Sequence, residues 1–248
     1  MQILVLVAGY GTRLYPLTKD KPKPLLSCGG RAILDYLLDK VKGLGGLKNV
    51  IVVTNNKFHE IFEDWAGENK SFPVPIRVIN DETTSPDDRL GAMGDIAFVL
   101  KKNRINQDLL ILGGDNLFDS GLDSFFAFAR KNSPQMSIGL YDIKDKSAAK
   151  QFGVVKLDGA GKVVSFEEKP ALPQSSLIAM CLYYLPKESF HFIEEYIRDS
   201  RKTDTTGDFV RWLSQRNTVY GFRFEGKWYD IGSVESYREA QEIFQSHH

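Results

Sequence analysis

A short stretch near the start of the chain carries residue types that bind phosphate. Gly9 and Gly11 follow an apolar run, and Arg13 and Lys23 come shortly after them. Glycine has no Cβ, so backbone N–H groups can approach phosphate oxygens closely. The arginine guanidinium offers a planar fork to phosphate, and the lysine ammonium offers a compact charge. The stretch therefore predicts a binding site for a phosphorylated ligand.

Two common phosphate-binding motifs do not account for this stretch. A dinucleotide fingerprint needs a third glycine at position 14, which is Leu14, and a P-loop needs a Gly-Lys-Ser/Thr ending that the loop lacks. Lys23 lies between Pro22 and Pro24, and each proline biases the residue before it away from helix. We therefore expect Lys23 in a stiff, extended loop that aims its charge at a phosphoryl group.

Two aspartates are candidates for holding a divalent cation. Asp115 follows Gly113 and Gly114 at the end of an apolar run, and open α/β sheets bind ligands at the carboxyl ends of their strands. Carboxylate oxygens are hard ligands that suit Mg²⁺, which also takes ligands from substrate phosphates. Asp230 lies far along the chain in the run Trp-Tyr-Asp-Ile-Gly-Ser. On its own, Asp230 fits equally well as an aspartate in a turn or at a helix N-terminus.

A β-hairpin is predicted in the second half of the chain. Runs at 153–157 and 162–167 flank Asp-Gly-Ala-Gly, a sequence typical of hairpin turns. The second run leads into Glu168 and Lys169. A carboxylate accepts hydrogen bonds from paired hydroxyl groups, which makes a glutamate suitable for holding a sugar. A solvated, charged strand end explains the same residues without any ligand.

The elements that must position these residues follow from the apolar pattern. Apolar runs alternate with amphipathic helical patterns through the first 140 residues, which predicts an α/β fold, a Rossmann-like and mostly parallel sheet with helices on both faces. The strands are expected at Ile3–Val7, Val50–Thr54, Ile76–Ile79, Leu109–Leu112 and Ser137–Tyr141, and helical stripes at 33–41, 58–65 and 122–129. The polar stretch 81–89 is interpreted as a mobile loop and a candidate lid.

After residue 150 the pattern becomes richer in β-structure. Besides the hairpin, we expect a strand at Ile178–Tyr184, helices at 187–198, 207–216 and 234–244, and a β pair at 219–224 and 227–229 around Glu225-Gly226. This part is predicted to be a β-rich insertion on the same sheet, and we find no linker that would make it a free domain.

Charge and composition restrict the partners. Lys+Arg and Asp+Glu each number 32, and no basic stripe is present, so we do not expect a nucleic-acid partner. The two cysteines, Cys28 and Cys181, are far apart, which fits a reducing compartment and no disulfide scaffold. No run approaches the ~20 apolar residues that span a bilayer, and we expect a cytoplasmic protein without a membrane partner.

Taken together, the motifs resemble the signature of one enzyme family. Gly-Tyr-Gly-Thr-Arg-Leu-Tyr-Pro-Leu-Thr at 9–18 and Pro-Lys-Pro-Leu-Leu at 22–26 are similar to the signature loop of the sugar-1-phosphate nucleotidyltransferases, most of all the short glucose-1-phosphate thymidylyltransferase-like branch. The later motifs recur in the family's order. The resemblance implies a single nucleotidyltransferase domain over 1–246 of the nucleotide-diphospho-sugar transferase type, with a nucleotide-binding half at 1–145 and a sugar-phosphate-binding half at 146–246.

The resemblance also implies a reaction and a set of site residues. A nucleoside triphosphate, with dTTP or UTP favoured, would condense with a sugar 1-phosphate, with glucose 1-phosphate favoured, to give an NDP-sugar and pyrophosphate. Arg13 would hold the triphosphate, Lys23 the α-phosphate, and Asp115 and Asp230 a shared Mg²⁺, so that Arg13, Lys23 and Asp115 are the catalytic set. The nucleotide site would comprise Ala8, Gly9, Gly11, Thr12, Arg13, Asn80, Gly91 and Asp115. The sugar-phosphate site would comprise Gly153, Glu168 and Lys169, and a homo-oligomer is expected on the resemblance alone.

Three positions depart from the pattern of the resembling family. Val7 stands where alanine is usual, and Cys181 stands where a glycine usually lines the sugar pocket. Thr206-Gly207-Asp208 replaces a segment that carries a basic residue, a charge that Arg201 or Lys202 would have to supply. Two alternatives therefore stay open. One is the same chemistry with CTP and an alcohol phosphate, and the other is a catalytically silent sensor of nucleotide or sugar phosphate.

Overall fold

The computed structural model describes residues 1–200 and 203–245, and Arg201 and Lys202 lie outside this range. The strands are β1 (Gln2–Leu6), β2 (Ser27–Cys28), β3 (Arg31–Ala32), β4 (Val50–Thr54), β5 (Ile76–Asn80), β6 (Leu109–Gly113), β7 (Asn116–Phe118), β8 (Met136–Asp142), β9 (Gly153–Leu157), β10 (Val163–Glu168), β11 (Leu177–Leu185), β12 (Val219–Phe224) and β13 (Trp228–Asp230). The helices are α1 (Ile33–Val41), α2 (His59–Glu68), α3 (Gly91–Asn103), α4 (Asp123–Asn132), α5 (Lys146–Ala149), α6 (His191–Ser200), α7 (Thr206–Ser214) and α8 (Val234–Gln245). Within the described ranges, no helix is both long enough and apolar enough to cross a membrane.

The chain forms two compact units and contributes several segments to each. Unit 1 consists of Met1–Gln2, Leu90–Ile111 and Asp123–Glu225. Unit 2 consists of Ile3–Arg89, Leu112–Leu122 and the described part of Gly226–His248. Each unit therefore combines segments that are distant in sequence.

Unit 2 is built on parallel strands. β1 pairs with β4 and β4 pairs with β5, both in parallel, and every residue of β4 is buried. A strand that is buried along its whole length must be covered on both faces, which explains its uninterrupted apolar sequence. Helix α1 buries one apolar stripe, Ile33, Leu34, Leu37, Leu38 and Val41. The predicted α/β architecture of parallel strands with flanking helices is confirmed.

Unit 1 contains the predicted β-rich part. β10 pairs antiparallel with β9 in the predicted hairpin, and β11 pairs antiparallel with both β9 and β8. β12 lies parallel to β8. Helices α6 and α7 bring together the rings of Tyr196, Phe209 and Trp212, with centroids 5.4–6.3 Å apart. These contacts give the insertion an aromatic core of its own.

Two local predictions are wrong. β12 and β13 do not form a hairpin, because β12 pairs with β8 and β13 pairs antiparallel with β7. The backbone N–H of Lys227 donates to the Asp119 carboxylate at 2.8 Å, which directs the chain after Gly226 to β7. Lys23 does not lie in an extended loop either. It opens a 3₁₀ turn over Lys23–Leu25, since a proline is tolerated in the first turn of a helix.

Candidate active site

The glycine-rich loop after β1 is a tight turn that only glycine can make without strain. Gly11 has a φ of 64°, in the left-handed region, and its carbonyl accepts hydrogen bonds from the backbone of Leu14 at 2.9 Å and from the hydroxyl of Thr18 at 2.7 Å. A Cβ at position 11 would lie 3.2 Å from the Cβ of the fully buried Thr18. Thr18, a residue of the same loop, therefore fixes the turn at Gly11.

Lys23 reaches across unit 2 to Asp115. Its ammonium nitrogen Nζ lies 2.7 Å from Oδ2 of Asp115, and the Lys23 side chain is 11% exposed. Loss of hydration is the largest single effect and acts to raise the pKa of Asp115. The charge and hydrogen bond of Lys23, a backbone hydrogen bond and the charge of Arg13 together outweigh it, so that the pKa lies below its ordinary value. Asp115 is therefore held as a carboxylate.

These residues line one cleft of about 230 Å³ within unit 2. Its walls include Gly9, Gly11, Thr12, Arg13, Lys23 and Asp115. The carbonyl of Ala8 accepts a hydrogen bond from the side chain of Asn55, which is completely buried, at 2.8 Å. Six of the residues proposed from the sequence therefore share one cleft, and Ala8 is anchored beside it.

Val7, one of the departures from the family pattern, packs where Gly114 leaves room for it. A Cβ at Gly114 would overlap Cγ1 of Val7 and would lie 3.2 Å from Cγ1 of Val5. The backbone N–H of Gly114 donates to the carbonyl of Leu6 at 3.1 Å. The side chains of Val5 and Val7 therefore leave room only for glycine before Asp115. The hydrogen bond from Gly114 to Leu6 holds the backbone next to Asp115.

Strand pairing brings Asp230 to the same end of unit 2. In the antiparallel ribbon of β7 and β13, Asp230 is opposite Asn116, the residue after Asp115. Partial loss of hydration raises the pKa of the Asp230 carboxyl, the charge of Asp115 adds to this, and Lys23 and Arg13 oppose it. In the described residues no group of three or more His, Cys, Asp or Glu side chains has a metal-binding arrangement.

The predicted base-reading residue Asn80 ends β5 in unit 2. Its side-chain nitrogen donates to Oδ1 of Asn56 at 2.8 Å, and its Oδ1 accepts from the backbone N–H of Glu82 at 2.8 Å. The following segment turns inward, because Asp81 and Thr83 are buried and the Tyr10 hydroxyl lies 3.4 Å from that of Thr83. Asn80 therefore has fixed neighbours on both sides.

The other predicted nucleotide residue, Gly91, belongs to unit 1. It begins α3 with a φ of 75°, and a Cβ there would lie 2.6 Å from the α-carbon of Asp204. The next two backbone N–H groups are already used, because Ala92 donates to Asp204 and Met93 to Thr203. Close packing of the segment 203–204 thus accounts for the glycine, independently of any base contact.

The predicted sugar-phosphate residues also lie in unit 1. A Cβ at Gly153 would overlap the Phe166 ring and lie 3.2 Å from Oε2 of Glu168, and a Cβ at Gly207 would overlap the same oxygen. The Glu168 carboxylate therefore occupies a slot between two glycines. Loss of hydration raises the pKa of Glu168, Asp208 adds to this, and Lys169 opposes it.

Lys169 and Cys181 both adopt backbone conformations that are unusual for their residue types. Their φ angles are 46° and 53°, in the left-handed region. The Lys169 ammonium lies 4.0 Å from the Glu168 carboxylate, and the Lys169 side chain is 59% exposed. Near Cys181, the buried Tyr183 hydroxyl lies 2.8 Å from that of Thr206. Such strain concentrates at functional sites, which supports a role for this region.

Several residues of these sites were not found from the sequence. Asn55 and Asn56 are polar residues just after a strand, and only the fold shows what they contact. Thr18 closes the signature loop, but its hydrogen bond to Gly11 was not foreseen. Gly207 was noted as a departure, but its packing against Glu168 could not be foreseen. Arg211 lies one helical turn after Asp208 and is 3.6 Å from it, so a basic side chain is present on α7 after all.

Comparisons with known proteins place these observations in a family. A family model described as nucleotidyl transferase matches residues 2–247. The bifunctional protein GlmU of Methanococcus aeolicus is 30% identical over 232 residues, which are 94% of this chain and 51% of that protein. The UTP–glucose-1-phosphate uridylyltransferase AglF of Haloferax volcanii is 27% identical over 99% of this chain and 97% of its own.

A solved structure shares the fold. UDP-glucose pyrophosphorylase complexed with UDP-glucose has a TM-score of 0.82 and 20% identity, covering 100% of this chain and 99% of that one. The sequence-based fold class and family resemblance are both confirmed. The chain spans about half the length of the GlmU relatives it matches.

Proposed function

The chain belongs to the nucleotidyl transferase family, and on this premise we propose that it joins a nucleoside triphosphate to a sugar 1-phosphate and releases pyrophosphate. The observation that carries the proposal is the Lys23–Asp115 pair, 2.7 Å apart in the glycine-lined cleft beside Arg13. We favour dTTP or UTP as the nucleotide and glucose 1-phosphate as the acceptor. UTP and glucose 1-phosphate are both in the name of the Haloferax volcanii relative. A cytoplasmic location and a homo-oligomeric state are parts of the same proposal.

The proposed step is an in-line displacement at phosphorus. An oxygen of the sugar phosphate forms a bond to the α-phosphorus, while the bond to the bridging oxygen breaks and pyrophosphate leaves with its electron pair. The attacking oxygen is already an anion, so no protein base has to remove a proton. What the chain must supply is position and positive charge, and Arg13 and Lys23 supply the charge on the triphosphate side.

The residues present fit Mg²⁺. Asp230 ends β13 opposite Asn116, the residue after Asp115, so both aspartates offer carboxylate oxygens at one end of the β7–β13 ribbon. Mg²⁺ is commonly held by one or two carboxylates together with phosphate oxygens and water. When bound there, the ion would neutralise charge on the phosphates. Lys23 stabilises the ionised form of Asp115, which is the form that can act as a metal ligand.

Gly153, Glu168 and Lys169 form the proposed acceptor side. Glu168, in its slot between Gly153 and Gly207, can accept hydrogen bonds from two sugar hydroxyl groups. Lys169 is exposed, and its ammonium is free to leave Glu168, 4.0 Å away, for a phosphate. Gly91 would meet the base through its backbone carbonyl or N–H.

The test is pyrophosphate release from the purified protein with Mg²⁺ and glucose 1-phosphate. Five reactions would contain dTTP, UTP, CTP, GTP or ATP. We expect release with dTTP or UTP, and we expect the variant Asp115→Asn to lose it by a factor of about 10²–10³, as when one preorganised charge is removed elsewhere. Asp20→Asn changes an exposed aspartate near the loop and serves as the matched control.

Other results would contradict the proposal in different ways. Pyrophosphate release only with CTP and an alcohol phosphate would show that the acceptor is not a sugar phosphate, although the type of reaction would be as proposed. Release that Asp115→Asn does not reduce would show a contaminating activity. Nucleotide binding without pyrophosphate release, for every phosphorylated sugar or alcohol tested, would show that the chain is a sensor and not a transferase.

A further inference from the structure

The side-chain amide of Asn80 has a defined orientation. The backbone N–H of Glu82 can only donate a hydrogen bond, so the Asn80 atom that faces it, 2.8 Å away, must be the oxygen Oδ1. The nitrogen Nδ2 then faces Asn56 and donates to its Oδ1 at 2.8 Å. The assignment of oxygen and nitrogen is therefore determined by a backbone group rather than by a choice between two fits.

The backbone around Asn80 holds these partners in place. Asn80 pairs with Thr54 in the parallel register of β4 and β5, and Asn56 lies two residues after the end of β4. The backbone N–H of Asn56 donates to the carbonyl of Thr83 at 2.9 Å. Glu82 has a φ of 72°, in a region that non-glycine residues rarely adopt, and this conformation presents its N–H to Asn80.

An amide held in this way can read only one kind of base edge. With one N–H and one lone pair engaged, Asn80 has one N–H donor and one lone pair left. Uracil and thymine present a carbonyl acceptor beside an N–H donor, whereas cytosine presents an amino donor beside an unprotonated nitrogen. A freely turning amide could exchange its ends and serve both. Turned over, the Asn80 amide would place an N–H against the N–H of Glu82, which is unfavourable.

We propose that Asn56 and the Glu82 backbone are positioning groups that hold the Asn80 amide so that it accepts uracil or thymine and rejects cytosine. The inference rests on the proposed function, because it requires the nucleotide base to lie against Asn80. The name of the Haloferax volcanii relative includes UTP, which favours uracil over cytosine as the base. Asn56 acts through Asn80 and needs no contact of its own with the substrate.

Asn56 is suited to a clean substitution. Asn56 is exposed, and the hydrogen bond from its backbone N–H to the Thr83 carbonyl does not depend on its side chain. Asn56→Ala removes the acceptor that holds Nδ2 of Asn80. Asn56→Asp retains an oxygen acceptor at the same place and is the matched control.

The experiment compares kcat/KM for UTP and for CTP, with glucose 1-phosphate, in the wild type and both variants. We expect Asn56→Ala to lower the UTP:CTP ratio about tenfold, the effect of one hydrogen bond, and Asn56→Asp to keep the ratio within about twofold. Equal losses for both nucleotides in Asn56→Ala would show a merely structural role and overturn the inference. Failure of Asn56→Asp to restore the ratio would overturn it as well.

Equilibrium binding separates this inference from the proposed function. Calorimetric titration of the same three proteins with UTP and CTP requires no turnover. If the wild type releases no pyrophosphate but binds UTP more tightly than CTP, and Asn56→Ala loses that preference, the transferase proposal fails and the inference stands. If the wild type binds both nucleotides equally, or binds neither, the inference fails whatever the transferase activity.

Discussion

The proposed nucleotide side in unit 2 and the proposed acceptor side in unit 1 hold their lysines with different degrees of restraint. In unit 2, Lys23 and Asp115 form a 2.7 Å ion pair in which the lysine side chain is 11% exposed. In unit 1, the corresponding pair of Lys169 and Glu168 is 4.0 Å apart, and the lysine side chain is 59% exposed. One side holds its lysine in place, and the other leaves its lysine in water.

This difference matches what each side has to recognise. A triphosphate presents the same groups whatever acceptor is used, so a fixed cluster of charges serves all substrates of the family. Acceptors differ in their hydroxyl groups, and two of the three departures from the family pattern, Cys181 and residues 206–208, lie in unit 1. We infer that the restrained side carries the reaction and that the looser side carries the choice of acceptor.

The largest effect is expected on the restrained side. Lys23→Met keeps the length of the side chain but removes the charge, so we expect kcat to fall by a factor of about 10²–10³. Lys21→Met removes an exposed lysine two residues earlier and is the matched control. Steady-state kinetics of pyrophosphate release, with thermal melting of both variants, provide the measurement. Equal losses in the two variants would mean that net charge, not the Lys23–Asp115 pair, supports the reaction.

Local sequence patterns predicted the elements well but not the contacts between distant residues. β4 was predicted with its observed bounds, because an apolar run buried on both faces leaves a clear signal. The Lys23–Asp115 pair joins residues 92 positions apart, and the resemblance proposed both residues without their direct contact. Asn55 and Asn56 left no signal, since asparagine is common in any loop. The hairpin at Glu225-Gly226 was wrong, because its strands found partners elsewhere in their own units.

A smaller effect is expected where Gly207 packs against Glu168. A Cβ at this position would overlap the Glu168 carboxylate and lie 2.8 Å from the Phe166 ring, so Gly207→Ala should displace the carboxylate. We expect KM for the sugar phosphate to rise about tenfold, the effect of about 1.4 kcal/mol in binding, while KM for the nucleotide stays within about twofold. Initial rates at varied sugar phosphate and at varied nucleotide give both constants.

The substitution Gly207→Ala is not expected to weaken helix α7, which makes a rise in KM easier to interpret. Gly207 is the second residue of α7, and alanine is a better helix former than glycine, so a weakened α7 cannot explain a loss. Gly159→Ala, in the hairpin turn with nothing within 4 Å of the added Cβ, is the control in the same unit. An unchanged KM for the sugar phosphate in Gly207→Ala would remove Glu168 from the acceptor site.

The smallest effect separates the backbone of Cys181 from its thiol. With a φ of 53°, position 181 favours glycine, so Cys181→Gly should be more stable than Cys181→Ala by about 1 kcal/mol, or roughly 2–4 °C in Tm for a chain of this size. Thermal melting measures the difference, and equal Tm values would show that the strand relaxes around any side chain. Acceptor kinetics on the same two variants then locate the cause of selectivity. Both lack the thiol, so a shared change in acceptor KM assigns selectivity to the thiol, whereas a change confined to Cys181→Gly assigns it to the strained backbone.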